Sequence, residues 1–333
     1  MIDKTFMEHR KDLVSIIIPV RNRREELQNC LKSLRNQSGV DYEIIILNDA
    51  GAEEIETTVK TMAPRAKIIN TKVRRGPSFL RNLGILNSSG KYLLFLDSDT
   101  LVPDDGLLER MVRAYERDER MGSIGGEIFL GGNKKEAFGR KIRFLGQNPA
   151  VGAIEGSPLV ICDYLATCNC FVSRGVAFSA GGFDPYFSFG AEDKDFGFRI
   201  KKAGWKNFAG YGFGVFHLRT PKSRLPDETL HYHITNRRFV LKNLGWQRFI
   251  LFFLSDLLYL LTFYPILPAK ICYKKVRKIR LARENFTAPY LILKAYAWNL
   301  KNARFTIECR TKDFLRPSAV EEFVRRSERE QRR

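Results

Sequence analysis

Over the first 120 residues, apolar runs and amphipathic stretches take turns. Val14-Ser15-Ile16-Ile17-Ile18-Pro19-Val20 is a β-branched run that stops at Arg21-Asn22-Arg23-Arg24, and it reads as a buried strand. Between 24 and 37, Leu27, Cys30, Leu31 and Leu34 recur at helical spacing, and Ser38-Gly39 supplies the stop. A second strand over 42–47 ends in Asn48-Asp49-Ala50-Gly51, a helix over about 53–62 is closed by Pro64, and 67–70 is a short third strand. Gly76-Pro77-Ser78 opens a helix running to about 87, with proline in the first turn where its missing N–H costs nothing. Tyr92-Leu93-Leu94-Phe95-Leu96 then forms a strand whose apolar run does not alternate, so both of its faces should be covered, and a helix follows over about 106–117. Four strand–helix pairs in succession predict a doubly wound α/β fold with a mostly parallel sheet.

Beyond 121 the pattern loosens. Residues 121–130 read as a glycine-containing strand, 131–135 as a loop tip, and 159–166 and 169–173 as two further strands of a mixed or antiparallel part of the sheet. Ala180-Gly181-Gly182-Phe183-Asp184-Pro185 is a turn, and a helix runs over about 193–203 to Gly204-Trp205. After Pro221 the character changes. The stretch 249–269 is almost wholly apolar and long enough to span a bilayer, but Asp256, Pro265 and Pro268 interrupt it. Trp246, Arg248, Lys270, Lys274 and Lys275 flank it as interfacial anchors would, which points to helices lying in a membrane interface, with a transmembrane hairpin or a buried dimerisation helix as the alternatives. The expected organisation is a polar lead over 1–12, an α/β unit over 13–220 and a basic helical region over 221–333.

Charge sharpens that division. The chain of 333 residues is 44% apolar and carries a formal net charge of +19; the stretch 270–333 holds 18 Lys and Arg against 7 Asp and Glu, so +11 of that charge lies there. Such a field favours anionic partners. Nucleic acid is not expected among them, because the basic residues follow an apolar segment instead of interleaving with aromatics and no reader motif is present. The start of the chain is polar and lacks the apolar core of a signal peptide, so it is read as beginning in the cytoplasm. The six cysteines show no C-x-x-C pair; Cys162, Cys168 and Cys170 are close in sequence, but no histidine follows them at zinc-finger spacing, and reduced thiols are expected.

In a parallel sheet the polar strand ends Pro19 to Asn22, Asn48-Asp49 and Asp97-Ser98-Asp99 share one edge, where α/β folds bind ligands. Neither G-x-G-x-x-G nor a P-loop is present, which argues against a dinucleotide or P-loop nucleotide site. Asp97 and Asp99 at a strand end can hold a cation; alone, they could equally be a solvated turn. Glu192, Asp193 and Asp195 in four residues exceed what capping one helix requires, so one of them can serve as a general base. His217 could complete a carboxylate metal set or simply be a hydrogen-bonded core histidine. His231 and His233 suggest no partner.

Val14 to Leu34, Ile46 to Gly51, the Leu80-Arg81-Asn82-x-Gly84 core of 76–84, Leu94 to Thr100, and Gly181 to Trp205 together resemble family 2 glycosyltransferases of the GT-A fold, over roughly residues 13–220. The resemblance implies a Rossmann-like, mostly parallel sheet flanked by helices. It implies an inverting, metal-dependent enzyme that moves a sugar from a nucleoside-diphosphate sugar to an acceptor hydroxyl. Pro19, Val20, Arg21, Asn48, Asp49, Gly76, Arg81, Asp97 and Ser98 would then face the donor nucleotide. Asp99, with Asp97 and His217, would hold Mn2+ or Mg2+, and Asp193, with Glu192 beside it, would be the base. The usual Asp-Asp dyad is Asn48-Asp49 here, which leaves the nucleotide base open. A glycan or lipid-linked acceptor at the cytoplasmic membrane surface is the expected partner, and self-association is left open. The rival readings are a sugar nucleotidyltransferase, whose glycine-rich first loop is missing after Val20, and a non-enzymatic basic protein of membranes or nucleic acid.

Overall fold

The computed structural model describes residues 10–130, 134–151, 159–187, 190–218, 228–276 and 284–331. The amino-terminal half runs β1 (Arg10–Val20), α1 (Arg24–Leu34), β2 (Asp41–Asn48), α2 (Glu56–Met62), β3 (Lys67–Asn70), α3 (Pro77–Leu86), β4 (Gly90–Phe95), β5 (Thr100–Leu101) and α4 (Leu107–Tyr115). Next come β6 (Met121–Gly125), β7 (Ile128–Leu130), β8 (Lys134–Ala137), β9 (Gly139–Arg140), β10 (Ala150–Val151), β11 (Leu159–Cys162), β12 (Cys170–Ser173) and α5 (Arg174–Ser179). Then follow α6 (Glu192–Lys202), β13 (Lys206–Gly210), β14 (Val215–His217), α7 (Glu228–Phe239), α8 (Trp246–Val276), α9 (Glu284–Lys301), α10 (Ala303–Glu308) and α11 (Pro317–Gln331).

Eight strands form the main sheet in the order β11-β13-β6-β12-β4-β1-β2-β3. β4, β1, β2 and β3 are parallel, and β12 enters antiparallel between β4 and β6, which is the mixed part expected from the looser pattern. The stretch read as one strand over 121–130 divides in two: β6 stays in the main sheet, while β7 joins a four-stranded sheet of order β5-β14-β7-β8. Of the loop tip expected at 131–135, residues 131–133 lie outside the described residues, whereas Lys134 and Lys135 belong to β8, paired antiparallel with β7.

The non-alternating runs are explained by cover on both sides. Val14, Ile16, Ile18 and Val20 of β1 and Tyr92 and Leu94 of β4 pack with α1, α2 and α4. Ile17, Leu93 and Phe95 pack with α3, α5 and α6 on the opposite face. Leu315 and Phe323 belong to this second core, where Phe323 stacks on Phe79 at 5.0 Å, so the basic carboxy-terminal helix completes the cover of the sheet.

An ion-pair cluster buried to exclusion of solvent joins α6 to the carboxy-terminal helices. Asp184 accepts from Arg238 at 2.8 Å and Lys242 at 2.9 Å, and Lys242 also reaches Asp195 at 2.8 Å. Asn243 donates to the other Asp195 oxygen at 2.8 Å. Asp195, the third acid of the Glu192 to Asp195 run, is therefore structural.

One face of α8 is docked through Phe249, Phe252 and Leu260. Asp256, an oddity in so apolar a stretch, accepts from Arg237 at 2.6 Å and from the Tyr296 hydroxyl at 2.7 Å on that same face. The opposite face presents Ile250, Leu251, Leu254, Leu257, Leu258 and Leu261 to solvent. Among the described residues no helix is long and apolar enough to cross a membrane. The side chains of Pro265, Pro268, Lys270, Lys274 and Lys275 lie outside the described ones.

Candidate active site

The carboxyl ends of β1, β2 and β4 open onto one cavity of about 420 Å³. Its walls include Pro19, Val20, Arg21, Asp49, Arg81, Asp97, Ser98, Glu192, Asp193 and His217, ten of the side chains singled out in the sequence. Parallel pairing explains the convergence of the first three stretches, because Val20 stands opposite Asn48 and Ile17 opposite Phe95. His217 arrives by a separate route. β14 pairs antiparallel with β5, which sets His217 opposite Thr100, one residue beyond Asp99.

That pairing brings His217 Nε2 to 3.3 Å from Asp99 Oδ1 and 3.8 Å from Asp97 Oδ2. Burial works against charge on the imidazole, but its bond to Asp99, with the Cys168 thiol and Asp97 nearby, pushes its pKa up to about 11. Arg23 Nη1 lies 2.9 Å from Asp99 Oδ2, and Arg81 Nη2 lies 2.8 Å from Asp97 Oδ1. One ligand atom from each of Asp97, Asp99 and His217 falls within 4.8 Å of the others, a spacing that suits a divalent cation. Two carboxylates and an imidazole accept Mn2+ more readily than Mg2+, which prefers oxygen throughout. Among the described residues the cysteines form no such group, and Cys30, Cys162, Cys168, Cys170 and Cys309 are buried free thiols.

Across the cavity, Gly190 and Ala191 both take left-handed backbone conformations, with φ of 75° and 63°. For alanine this is a strained choice, and it delivers Glu192 and Asp193 to the first turn of α6 at the cavity wall. Asn22 and Ala50, the other described non-glycine residues with positive φ, directly follow Arg21 and Asp49. Desolvation, then repulsion from Glu192, raises the Asp193 pKa to about 7 against the pull of the Lys194 amide, Arg81 and Arg140. Glu192 Oε2 and Arg81 Nε are buried without a hydrogen-bond partner, so the wall holds polar capacity that a ligand can take up.

The Leu80 to Gly84 stretch acquires its reasons from packing. Leu80 lines the cavity and Arg81 reaches both Asp97 and, at 3.4 Å, Glu192. Asn82 clamps the backbone of Phe183 with two 2.8 Å bonds, and Gly84 lets α3 approach Ile17 of β1. Asp49 accepts from the amides of Arg75 and Gly76 at 2.6 and 3.0 Å, which fixes the loop before α3. Asn48 turns away from the cavity, donating to Asn70 at 2.9 Å and accepting from Gly51 at 3.2 Å. Asp99 and Gly76 stand behind the wall. Arg23, Arg74 and Arg140 were not singled out in the sequence; Arg23 was signalled only by the basic cluster after β1, and Arg140 by nothing, since it sits in a two-residue strand.

Residues 15–155 match the family model for glycosyl transferase family 2. This stretch is a family 2 glycosyltransferase domain. The chain is 27% identical over 245 residues to a chondroitin synthase of Escherichia coli, covering 63% of this chain and 35% of that protein. It is 31% identical over 107 residues to a GalNAc(5)-diNAcBac-PP-undecaprenol beta-1,3-glucosyltransferase of Campylobacter jejuni, covering 31% of this chain and 35% of that one. The chain thus spans about a third of the length of each of these curated relatives. The fold is similar to a crystal structure of GalNAc-T7 with UDP, GalNAc and Mn2+, with a TM-score of 0.58, 15% identity, and coverage of 70% of this chain and 48% of that one. The domain therefore has the GT-A fold expected from the sequence.

Proposed function

We propose that the chain moves a sugar from a nucleoside-diphosphate sugar to an acceptor hydroxyl, with inversion at the anomeric carbon. The observation that carries this reading is that Asp97 and His217, backed by the buried Asp99 with which they form one ligand cluster, line the same cavity as Asp193. Asp97, Asp99 and His217 would hold a divalent cation, Mn2+ for preference, and such an ion neutralises the charge that develops on a departing diphosphate. Arg21, Arg23, Arg74 and Arg81 line the same cavity and add positive charge for the diphosphate. The neighbour in fold was solved with UDP and Mn2+, which supports a nucleotide donor here.

Asp193 takes the proton from the acceptor hydroxyl. Its pKa near 7 makes it a stronger base than an ordinary carboxylate while leaving it largely ionised just above neutrality. Glu192 raises that basicity and positions Arg81. One base on one side of the donor gives a single displacement, hence inversion.

The acceptor is proposed to be a growing glycan or lipid-linked saccharide met at the cytoplasmic face of a membrane. The undecaprenol-linked substrate in the name of one relative and the exposed leucine face of α8 support that setting. The reading is tested by incubating the protein with UDP-, GDP- and dTDP-sugars, Mn2+ and a membrane-derived saccharide fraction as acceptor. Release of one nucleoside diphosphate, lost in Asp193→Asn, is the expected result; no release from any donor overturns it.

A further inference from the structure

We propose that a second cavity, of about 380 Å³ between α7, α9 and α11, binds the sugar-phosphate part of the acceptor. The inference rests on the transferase reading of the main cavity and adds to it the chemical class of the acceptor.

Arg74 lines both cavities, so they share a wall at the loop that Asp49 pins. On the α6 side, Gly190 lines the main cavity, a side chain placed there would meet Tyr232 and Thr235 of α7, and Thr235 lines the second cavity. The two cavities are therefore neighbours, at Arg74 and across Gly190 and Thr235.

Arg74, Arg75, Arg326 and His231 line this cavity, and among the described residues no aspartate or glutamate does. Arg75 is matched by Glu328 at 3.0 Å, from outside the lining. The charge on Arg74 is disfavoured first by burial and then by Arg21, with Asp49 offsetting part of it, so an anion at this wall would be favoured. Arginine forks suit phosphate oxygens in particular.

The remaining walls suit a ring. Tyr186, Trp298 and Phe305 supply aromatic faces, and the guanidinium of Arg326 lies 3.9 Å over the ring of Phe305, which holds its donors in place. The Tyr186 hydroxyl is buried without a hydrogen-bond partner, ready for a sugar hydroxyl. No described side chain of α8 contributes to this cavity, so among the described residues its anion site is not continuous with the exposed leucine face, and a phosphorylated saccharide fits better than a bilayer headgroup. The volume is within the usual range for small-molecule sites, roughly 300–1,000 Å³.

The test is calorimetric titration of the full chain with glucose 1-phosphate, without divalent metal, in wild type, Arg326→Gln and Arg326→Lys. The expected result is binding by the wild type, at least tenfold weaker in Arg326→Gln and intermediate in Arg326→Lys. Melting curves check the fold, and if Arg326→Gln melts early the lysine variant carries the comparison. Equal binding by all three overturns the inference. So does an Arg326-dependent affinity for vesicles containing phosphatidic acid with none for glucose 1-phosphate. Sugar-phosphate binding in a protein that turns over no nucleotide sugar overturns the transferase reading and leaves the cavity's ligand class standing.

Discussion

Arg81, fully buried on α3, places one nitrogen of its guanidinium 2.8 Å from Asp97 and so ties the helix before β4 to the carboxylate just after it. A second nitrogen reaches Glu192 at 3.4 Å, so one planar group spans the two sides of the cavity. Lysine keeps the charge and loses the fork. Arg81→Lys is expected to lower kcat/KM for the donor about 10- to 100-fold, the equivalent of one or two charge-assisted hydrogen bonds, as read from initial rates of nucleotide release.

The raised pKa of Asp193 ties activity and stability to pH in opposite directions. Activity requires the ionised carboxylate, so kcat/KM should fall about tenfold per pH unit below about 7. For stability, the folded protein holds a proton on Asp193 up to about 7, whereas the unfolded chain releases it near 3.8. The folded state binds more protons between those values, so this group's contribution is fully present below about 4 and is lost as pH rises towards 7. Asp193→Asn should therefore abolish transfer yet melt a few degrees above wild type at pH 8, by ~1–3 kcal/mol, with the gap closing at pH 4. Differential scanning fluorimetry at the two pH values checks this.

Asp195 lies two residues from Asp193 and should behave differently. Removing its carboxylate leaves Lys242 with Asp184 alone in a cluster without solvent. Asp195→Ala is expected to cost about 3–5 kcal/mol of stability, read from denaturant unfolding. Protein that remains folded should keep its pH profile, because Asp195 does not line the cavity.

The leucine face of α8 carries the membrane proposal. Leu254, Leu258 and Leu261 are 50%, 63% and 66% exposed, a pattern that costs solubility unless something covers it. Replacing the three with serine should weaken co-sedimentation with anionic lipid vesicles at least tenfold and leave release of nucleotide in detergent unchanged. Equal sedimentation of the two proteins would remove the membrane from the account.

Much of the fold was legible because β1 and β4 are buried on both faces and so read as uninterrupted apolar runs, and because α1 and α4 show one clean apolar stripe each. Asp97, Asp99, Glu192 and Asp193 stood out because carboxylates at a strand end and in a helix first turn break those patterns. The division of 121–130 between two sheets was not legible, since Gly125 and Gly126 mark a bend without saying which partner each half takes. The fate of Asp195 was hidden for a similar reason: its partner Lys242 lies 47 residues on, in a helical region with no pattern that points back. Arg140 and Arg74 reach the site from short irregular stretches, where side-chain direction follows from tertiary contacts alone.

The central claim is that metal-assisted departure of a nucleotide and proton removal by Asp193 occur in the one cavity. It is tested most directly by measuring nucleoside diphosphate released from a sugar nucleotide in the presence of a membrane-derived acceptor, against Mn2+ concentration, in wild type, Asp99→Asn and Asp193→Asn. The account expects release that saturates with Mn2+ in wild type and stops with chelator. In Asp99→Asn it expects at least tenfold more Mn2+ for half-saturation. In Asp193→Asn it expects unchanged Mn2+ binding with no transfer to an acceptor. Release that ignores Mn2+ and survives both substitutions would contradict it.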